Sequence, residues 1–212
     1  VNVIGICGRK RHGKDTVGGF LQQEEKFTPI AFADPIKKIA MELYGFTYEQ
    51  CYGDEKEVPD PRWEGLTPRH AMQQIGTEVA RGIHSETWIR YCFETMSKAA
   101  RGENPEIHWA PAKGFIPAKE AYLGKGTFDL QAPDMSRWCI TDVRFPNEAA
   151  FIKAQGGKVV KVVRPALEGK QGDTHASETS IDEIEPDVLL VNDGTLEDLL
   201  LSVQGSLELL LR

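Results

Sequence analysis

The stretch Val1-Asn2-Val3-Ile4-Gly5-Ile6-Cys7-Gly8-Arg9-Lys10-Arg11-His12-Gly13-Lys14-Asp15-Thr16 decides how the chain is read. Residues 1–7 are a nearly continuous apolar run with β-branched members, the pattern of a strand buried on both faces of a parallel sheet. The run leads into GxxxxGK spacing, from Gly8 to Lys14, directly ahead of residues able to start a helix. Glycines let backbone N–H groups converge on phosphate oxygens, and a helix N-terminus adds partial positive charge. Lys14 can then extend to the outer phosphates of a nucleotide. Gly8, Arg11, His12, Gly13, Lys14, Asp15 and Thr16 are therefore candidates for binding a nucleoside triphosphate such as ATP.

One position departs from the usual pattern. The Ser or Thr that normally follows the lysine and holds Mg²⁺ is Asp15 here, with Thr16 one place later. A carboxylate is a hard oxygen ligand suited to Mg²⁺, and the Thr16 hydroxyl is another. Asp15 equally suits the positive end of the helix dipole, and the sequence leaves these readings open.

Working outward, Ile30-Ala31-Phe32 is a second strand candidate, after which Asp34 caps a helix that has Pro35 at its first position and stops at Gly45. Residues 48–65 are acidic, end in Gly and Pro punctuation and read as a surface loop. Thr67-Pro68 opens a helix carrying Ala71, Met72, Ile75 and Val79, and Ser85 opens the next, with Trp88, Ile89, Cys92, Phe93 and Met96 at helical spacing. Residues 101–136 have no sustained period and read as an insertion or a lid. From Trp138 the β/α alternation returns: strand 138–143, a helix from about Asn147 to Ala154, Gly156-Gly157, strand 158–163, a polar loop 165–187 and strand 188–191. Thr195 caps a last helix whose buried side is read as Leu196, Leu199, Leu200, Val203, Leu207, Leu210 and Leu211. Five strands with helical crossovers make an α/β parallel sheet. Asp142 and Arg144 end the third strand and Arg164 follows the fourth, at the edge where α/β sheets bind ligands. Asp142 suits a water of the Mg²⁺ shell and Arg144 a phosphate; an ion pair at the sheet edge is the ordinary alternative.

Composition bounds these readings. The chain has 212 residues, 41% hydrophobic and 27% charged, which excludes wholesale disorder and a disulfide-held miniprotein. No apolar run reaches the roughly 18 residues of a membrane span, and the apolar N-terminus precedes its basic cluster, the reverse of a secretory signal, so cytoplasm is the expected compartment. Four cysteines without CxxC spacing imply neither zinc nor disulfides. A net charge of −7 argues against a polymeric nucleic-acid partner yet leaves room for the local basic site at residues 9–14.

The chain resembles bacteriophage deoxynucleoside monophosphate kinases, a branch of the P-loop nucleoside monophosphate kinases. The resemblance runs through Lys10-Arg11-His12-Gly13-Lys14-Asp15-Thr16, Pro35-Ile36-Lys37, Arg69 with Met72-Gln73, Gly76-Thr77-Glu78, Trp88, Asp142 and Arg144. It continues through Val162-Val163-Arg164-Pro165, Asp173-Thr174-His175 with Glu178, and Asn192-Asp193-Gly194, and it makes Asp15 the family's own form of the loop. It implies a P-loop NTPase-type three-layer fold with a five-stranded parallel sheet and a helical insertion. That fold is one domain over 1–212, with 35–136 an acceptor-binding insertion and 165–187 a lid-like loop. The implied reaction is transfer of the ATP γ-phosphoryl group to a deoxynucleoside monophosphate, in the host cytoplasm if the protein is phage-encoded. Lys14, Arg144 and Asp142 are then catalytic. Arg164 joins the ATP side, and Asp15, Thr16 and Asp142 are candidates for Mg²⁺. Arg69, Gln73, Arg81 and Trp88 hold the acceptor, and His175 and Glu178 belong to the lid. Gln73 as an exposed helix residue, Trp88 as core and His175 as an exposed loop residue are the ordinary alternatives. Base preference and subunit number, a homodimer included, stay open.

Two other functions fit the same loop. A small-molecule kinase of the phosphomevalonate type would ignore nucleoside monophosphates, and an NTP-dependent switch or assembly factor would hydrolyse slowly with no phosphorylated small product.

Overall fold

The computed structural model describes residues 2–103, 134–168 and 175–211, so most of the stretch read as an insertion or lid, 101–136, lies outside the described residues. The opening apolar run is β1, Asn2–Cys7, buried from Val3 onward. It lies at the centre of a five-stranded sheet with β2 (Phe27–Ile30), β3 (Asp134–Val143), β4 (Lys158–Val163) and β5 (Val188–Val191), in the order β2-β3-β1-β4-β5. All four pairings are parallel. Among the described residues the α-helices are α1 (Lys14–Gln23), α2 (Asp34–Tyr44), α3 (Tyr48–Tyr52), α4 (Pro68–Gln73), α5 (Thr87–Ala100), α6 (Pro146–Ala154), α7 (Ala176–Thr179) and α8 (Leu196–Leu210).

Strand alternation sends neighbouring residues to opposite faces, and both faces are covered. On one face Ile4 and Ile6 of β1, Val160 and Val162 of β4, and Val188 and Leu190 of β5 form a core with Val17, Phe20 and Leu21 of α1 and Leu199, Val203 and Leu210 of α8. Each such side chain stabilises the fold by about 1.5–3 kcal/mol on burial. On the other face Gly5 meets α6 so closely that an added Cβ would lie 2.7 Å from Ile152 Cδ1. Helix, sheet and helix make the three layers.

The chain divides into two compact units, Val1–Ala31 with Met96–Arg212, and Phe32–Thr95. The first holds the whole sheet. The second is built of α2, α3, α4, the start of α5, short 3₁₀ turns and the π-helical stretch Gln74–Arg81, with no strand. Among the described residues no helix is long and apolar enough to cross a membrane. Cys7, Cys51, Cys92 and Cys139 are all buried and free, and burial pushes the Cys7 thiol up to about 11 and that of Cys139 to about 12.

The structure corrects several local expectations. The second strand is Phe27–Ile30 rather than 30–32, and it contains Pro29. Proline removes a ladder donor, which is tolerated here because β2 is an edge strand. Asp34 is the first residue of α2 rather than its cap; Ala33 takes the cap position without a side-chain bond, and the Asp34 carboxylate accepts from Lys37 Nζ at 3.0 Å. Residues 48–65 are not an open loop. Thr47 and Gln50 exchange side-chain and backbone hydrogen bonds in a capping box that starts α3, and Asp60 is buried while accepting from Gln50 and Arg62. The helix expected from Ser85 begins at Thr87. Leu196 is 55% exposed, because it is the first residue of α8 and the apolar face begins at Leu199.

Candidate active site

The loop from Cys7 to Lys14 takes a path that its glycines alone permit at two points. Gly8 has φ +152°, and a Cβ there would lie 2.6 Å from the Val162 carbonyl oxygen. Gly13, at φ +109°, occupies the N-cap position of α1, where a Cβ would lie 2.7 Å from Asn192 Nδ2. No side chain caps α1, so an external acceptor such as a phosphate oxygen can serve the N–H groups of its first turn. Lys14 Nζ stands 3.6 Å from the Asp15 carboxylate; the lysine is mostly buried and the aspartate half exposed. Thr16 is half-buried and Arg11 exposed.

His12 is bonded within the protein. Its side chain is 2% exposed and serves the loop: Nδ1 accepts from the Arg164 N–H at 3.1 Å, and its carbonyl accepts from Asn192 Nδ2 at 2.9 Å. The loop is thereby tied to the ends of β4 and β5. Burial holds the His12 imidazole below its ordinary pKa, in the neutral form whose Nδ1 can accept. A group with a depressed folded pKa contributes stability that is complete above its unfolded value, near ~6.5, and is lost as pH falls through the folded value. The thermal midpoint should therefore drop as pH is lowered from about 7 to about 5. His12→Asn keeps an acceptor where Nδ1 stood but does not titrate in this range, so it should flatten the curve. Parallel curves for the two proteins would refute the assignment.

Parallel register sets Cys7 opposite Val143 of β3 and Lys161 of β4, so the ends of both neighbours flank the loop. Asp142 and Arg144 stand at the end of β3, both half-buried. Arg144 is held at both ends. Its N–H donates to Glu148 Oε2 at 2.8 Å, and its Nη1 donates to Glu178 Oε1. Burial disfavours the guanidinium charge, but Glu178, Asp142 and Glu148 outweigh that effect and raise the pKa above the usual arginine value. Arg164 is exposed at the end of β4. Arg9, in the same basic cluster, pairs with the Asp182 carboxylate.

In the unit Phe32–Thr95, Arg69 and Gln73 lie on α4 and are half-buried, and Arg81 ends the π-helical stretch that continues it. Arg69 Nε donates to Glu57. Trp88 is 6% exposed, and its indole N–H donates to the Gly76 carbonyl at 2.8 Å, so the structure gives it a packing contact inside this unit. His175 accepts at Nδ1 from the Ser177 N–H and so starts α7, which carries the buried Glu178.

Sequence reasoning missed Glu148 and Asp182 as parts of this arrangement, and quoted Asn192 only within the Asn192-Asp193-Gly194 block of the resemblance. Glu148 had a local signal, because a glutamate in the first turn after Pro146 is placed to reach back to the N–H groups ahead of the helix, here those of Arg144 and Phe145.

The profile of the family described as deoxynucleotide monophosphate kinase matches residues 2–67 and 121–203. A protein of Acanthamoeba polyphaga mimivirus named "Putative deoxynucleotide monophosphate kinase" is 33% identical over 207 residues, covering 92% of this chain and 91% of that one. The protein of Enterobacteria phage T4 named deoxynucleotide monophosphate kinase is 33% identical over 73 residues, 34% of this chain and 30% of its own. Among solved structures, TT1252 from Thermus thermophilus aligns with a TM-score of 0.42 and 14% identity, over 98% of this chain and 97% of that one. With the profile matched across most of its length and a relative aligned nearly end to end, the chain belongs to the deoxynucleotide monophosphate kinase family and is an ATP-dependent nucleotide kinase.

Proposed function

We propose that Lys14, Arg144 and Asp142 carry the transfer of the ATP γ-phosphoryl group to a deoxynucleoside monophosphate. Gly8, Arg11, His12, Gly13, Asp15, Thr16 and Arg164 lie on the donor side of this reading. The observation that supports it is the register, which brings the loop and the ends of β3 and β4 to one edge of the sheet.

The chemistry asks little of a base. A phosphate monoester has a second pKa near ~6, so the acceptor is already a nucleophilic dianion at neutral pH. The enzyme supplies in-line positioning and neutralisation of the charge spread over the transferred group. Lys14 contributes a compact charge for the outer phosphates and Arg144 a planar fork that can hold two oxygens. Arg11 and Arg164, both exposed, add positive charge around the donor.

Mg²⁺ fits the residues at hand. It usually keeps several waters and phosphate oxygens and takes only one or two carboxylates. The half-exposed Asp15 carboxylate, the Thr16 hydroxyl and Asp142 are such donors, and among the described residues no cluster of three or more His, Cys, Asp or Glu forms a dedicated cage. When bound, Mg²⁺ neutralises charge on the β and γ oxygens.

On the acceptor side, Arg69 is the phosphate clamp, Gln73 reads the base edge and Arg81 is a further contact. Trp88 acts from the core by fixing Gly76 in the helical stretch that follows Gln73. The acceptor-binding insertion is 35–136 and the lid 165–187, of which 104–133 and 169–174 lie outside the described residues. Free nucleotides, rather than a nucleic-acid polymer, are the partners suited to a chain of net charge −7 whose basic cluster is confined to 9–14.

The test is a panel of deoxynucleoside and ribonucleoside monophosphates with ATP and Mg²⁺, following ADP and the diphosphate product. Phosphorylation of deoxynucleoside monophosphates is expected, and failure of every one would overturn the reading. Arg69→Ala should raise the KM for the acceptor about 10- to 100-fold, the loss of a charged hydrogen bond, and leave the KM for ATP unchanged. An unaltered acceptor KM would remove Arg69 from the site.

A further inference from the structure

We propose that Glu178 is the positioning residue of Arg144, holding one corner of the guanidinium so that its opposite edge stays open to phosphate oxygens. The proposal rests on the reading of Arg144 as the phosphate fork.

Three observations converge. First, the Glu178 side chain is 7% exposed, whereas that of Arg144 is 30% exposed. A carboxyl group so far removed from water needs a charged partner or several hydrogen-bond donors, and for Glu178 Arg144 is the charged partner. Second, the contact is confined to one corner. Nη1 of Arg144 donates to Glu178, while Nε and Nη2 make no hydrogen bond among the described residues. The Nε–Nη2 edge carries two parallel N–H groups and is the geometry that grips two oxygens of one phosphate. A glutamate competing for that phosphate would take this edge; Glu178 leaves it alone. Third, the other end of the residue is fixed independently. The Arg144 N–H donates to Glu148, a residue 3% exposed, at 2.8 Å.

A flexible arginine loses several rotamers when it grips a ligand. Glu148 at the backbone and Glu178 at the tip remove much of that freedom before the nucleotide arrives. Glu178 itself is placed by α7, whose first turn is set by the His175 side chain accepting from the Ser177 N–H and the His175 carbonyl accepting from the Glu178 N–H at 2.8 Å. His175 therefore acts two steps removed from phosphate.

The test is a double-mutant cycle with Glu178→Gln, Arg144→Ala and the combined variant, reading kcat, KM for both substrates and the thermal midpoint. Glu178→Gln should lower kcat about tenfold with both KM values nearly unchanged, because the fork is misaimed in the transition state rather than lost to binding. Glu178→Asp should recover part of the loss. Arg144→Ala should cost more, and adding Glu178→Gln to it should cost nothing further. If the two losses multiply, Glu178 acts apart from Arg144 and the proposal fails. A full kcat in Glu178→Gln beside a depressed kcat in Arg144→Ala overturns the proposal but spares the role of Arg144. Full activity in Arg144→Ala overturns that role and the proposal with it. Should Glu178→Gln fail to fold alone, adding it to Arg144→Ala, where the guanidinium is already gone, carries the decision, a further loss of kcat counting against.

Discussion

Lys14→Met is expected to reduce kcat by about 10²- to 10³-fold, the range seen when one preorganised charge donor is removed from a transition state. Methionine keeps an unbranched stem of similar length, and the Lys14 side chain is mostly buried along it, so the packing of the first turn of α1 survives the change. What is lost is the ammonium group. The transferred phosphoryl carries its charge on equatorial oxygens, and a cation in a site screened from water stabilises that charge far more than one in bulk solvent. The thermal midpoint should stay within about 3 °C of wild type, since a conservative change of this kind costs well under ~1 kcal/mol. Circular dichroism melts beside steady-state kinetics separate the two effects. A variant with near-normal kcat would take Lys14 out of the chemistry.

The second large effect is expected from Gly8→Ala, and it should fall on folding and donor binding together. The added Cβ would stand 2.6 Å from the backbone oxygen of Val162, which belongs to a central strand and has no rotamer to escape into. The backbone at Gly8, with φ +152°, is also one that L side chains rarely adopt. Strain of this kind costs of order 1–3 kcal/mol, and the collision adds to it. Either the loop moves or β4 does, and both disturb the phosphate cradle. A fall in the thermal midpoint of about 4–10 °C and at least tenfold weaker ATP binding should appear together, measurable by calorimetry of the purified variant. Stability and affinity matching wild type would mean that the loop has another accessible path.

The fold was largely legible because its signals are local. Residues 1–7 carry the pattern of a buried strand, the five apolar runs come with helical crossovers, and Gly45 and Gly156 stop helices where their left-handed φ angles are needed. The errors came where tertiary context overrides a local rule. The second strand, expected at 30–32, is Phe27–Ile30 and includes Pro29, which the edge position makes acceptable. The polar stretch 48–65 looked like a loop because its organising centre, the buried Asp60, is a single acid whose partners Gln50 and Arg62 lie on both sides of it. The donor half of the proposed site rests on spacing, which names residue types but not their partners. Spacing picked out Gly8, Gly13 and Lys14 as candidates, yet no pattern announces that His12 Nδ1 accepts from the backbone of Arg164, some 152 residues on. Glu178 was read as part of a lid; its bond to Arg144 is a long-range pairing that periodicity does not encode.

The four buried cysteines divide evenly, Cys7 and Cys139 in the sheet-bearing unit and Cys51 and Cys92 in the helical one. A thiol held out of water reacts with an alkylating reagent only when its surroundings open. Each unit thus carries its own pair of chemical clocks. The rates at which the pairs are modified, followed by peptide mass, report whether the two units breathe together or separately, without a label having to be engineered into either.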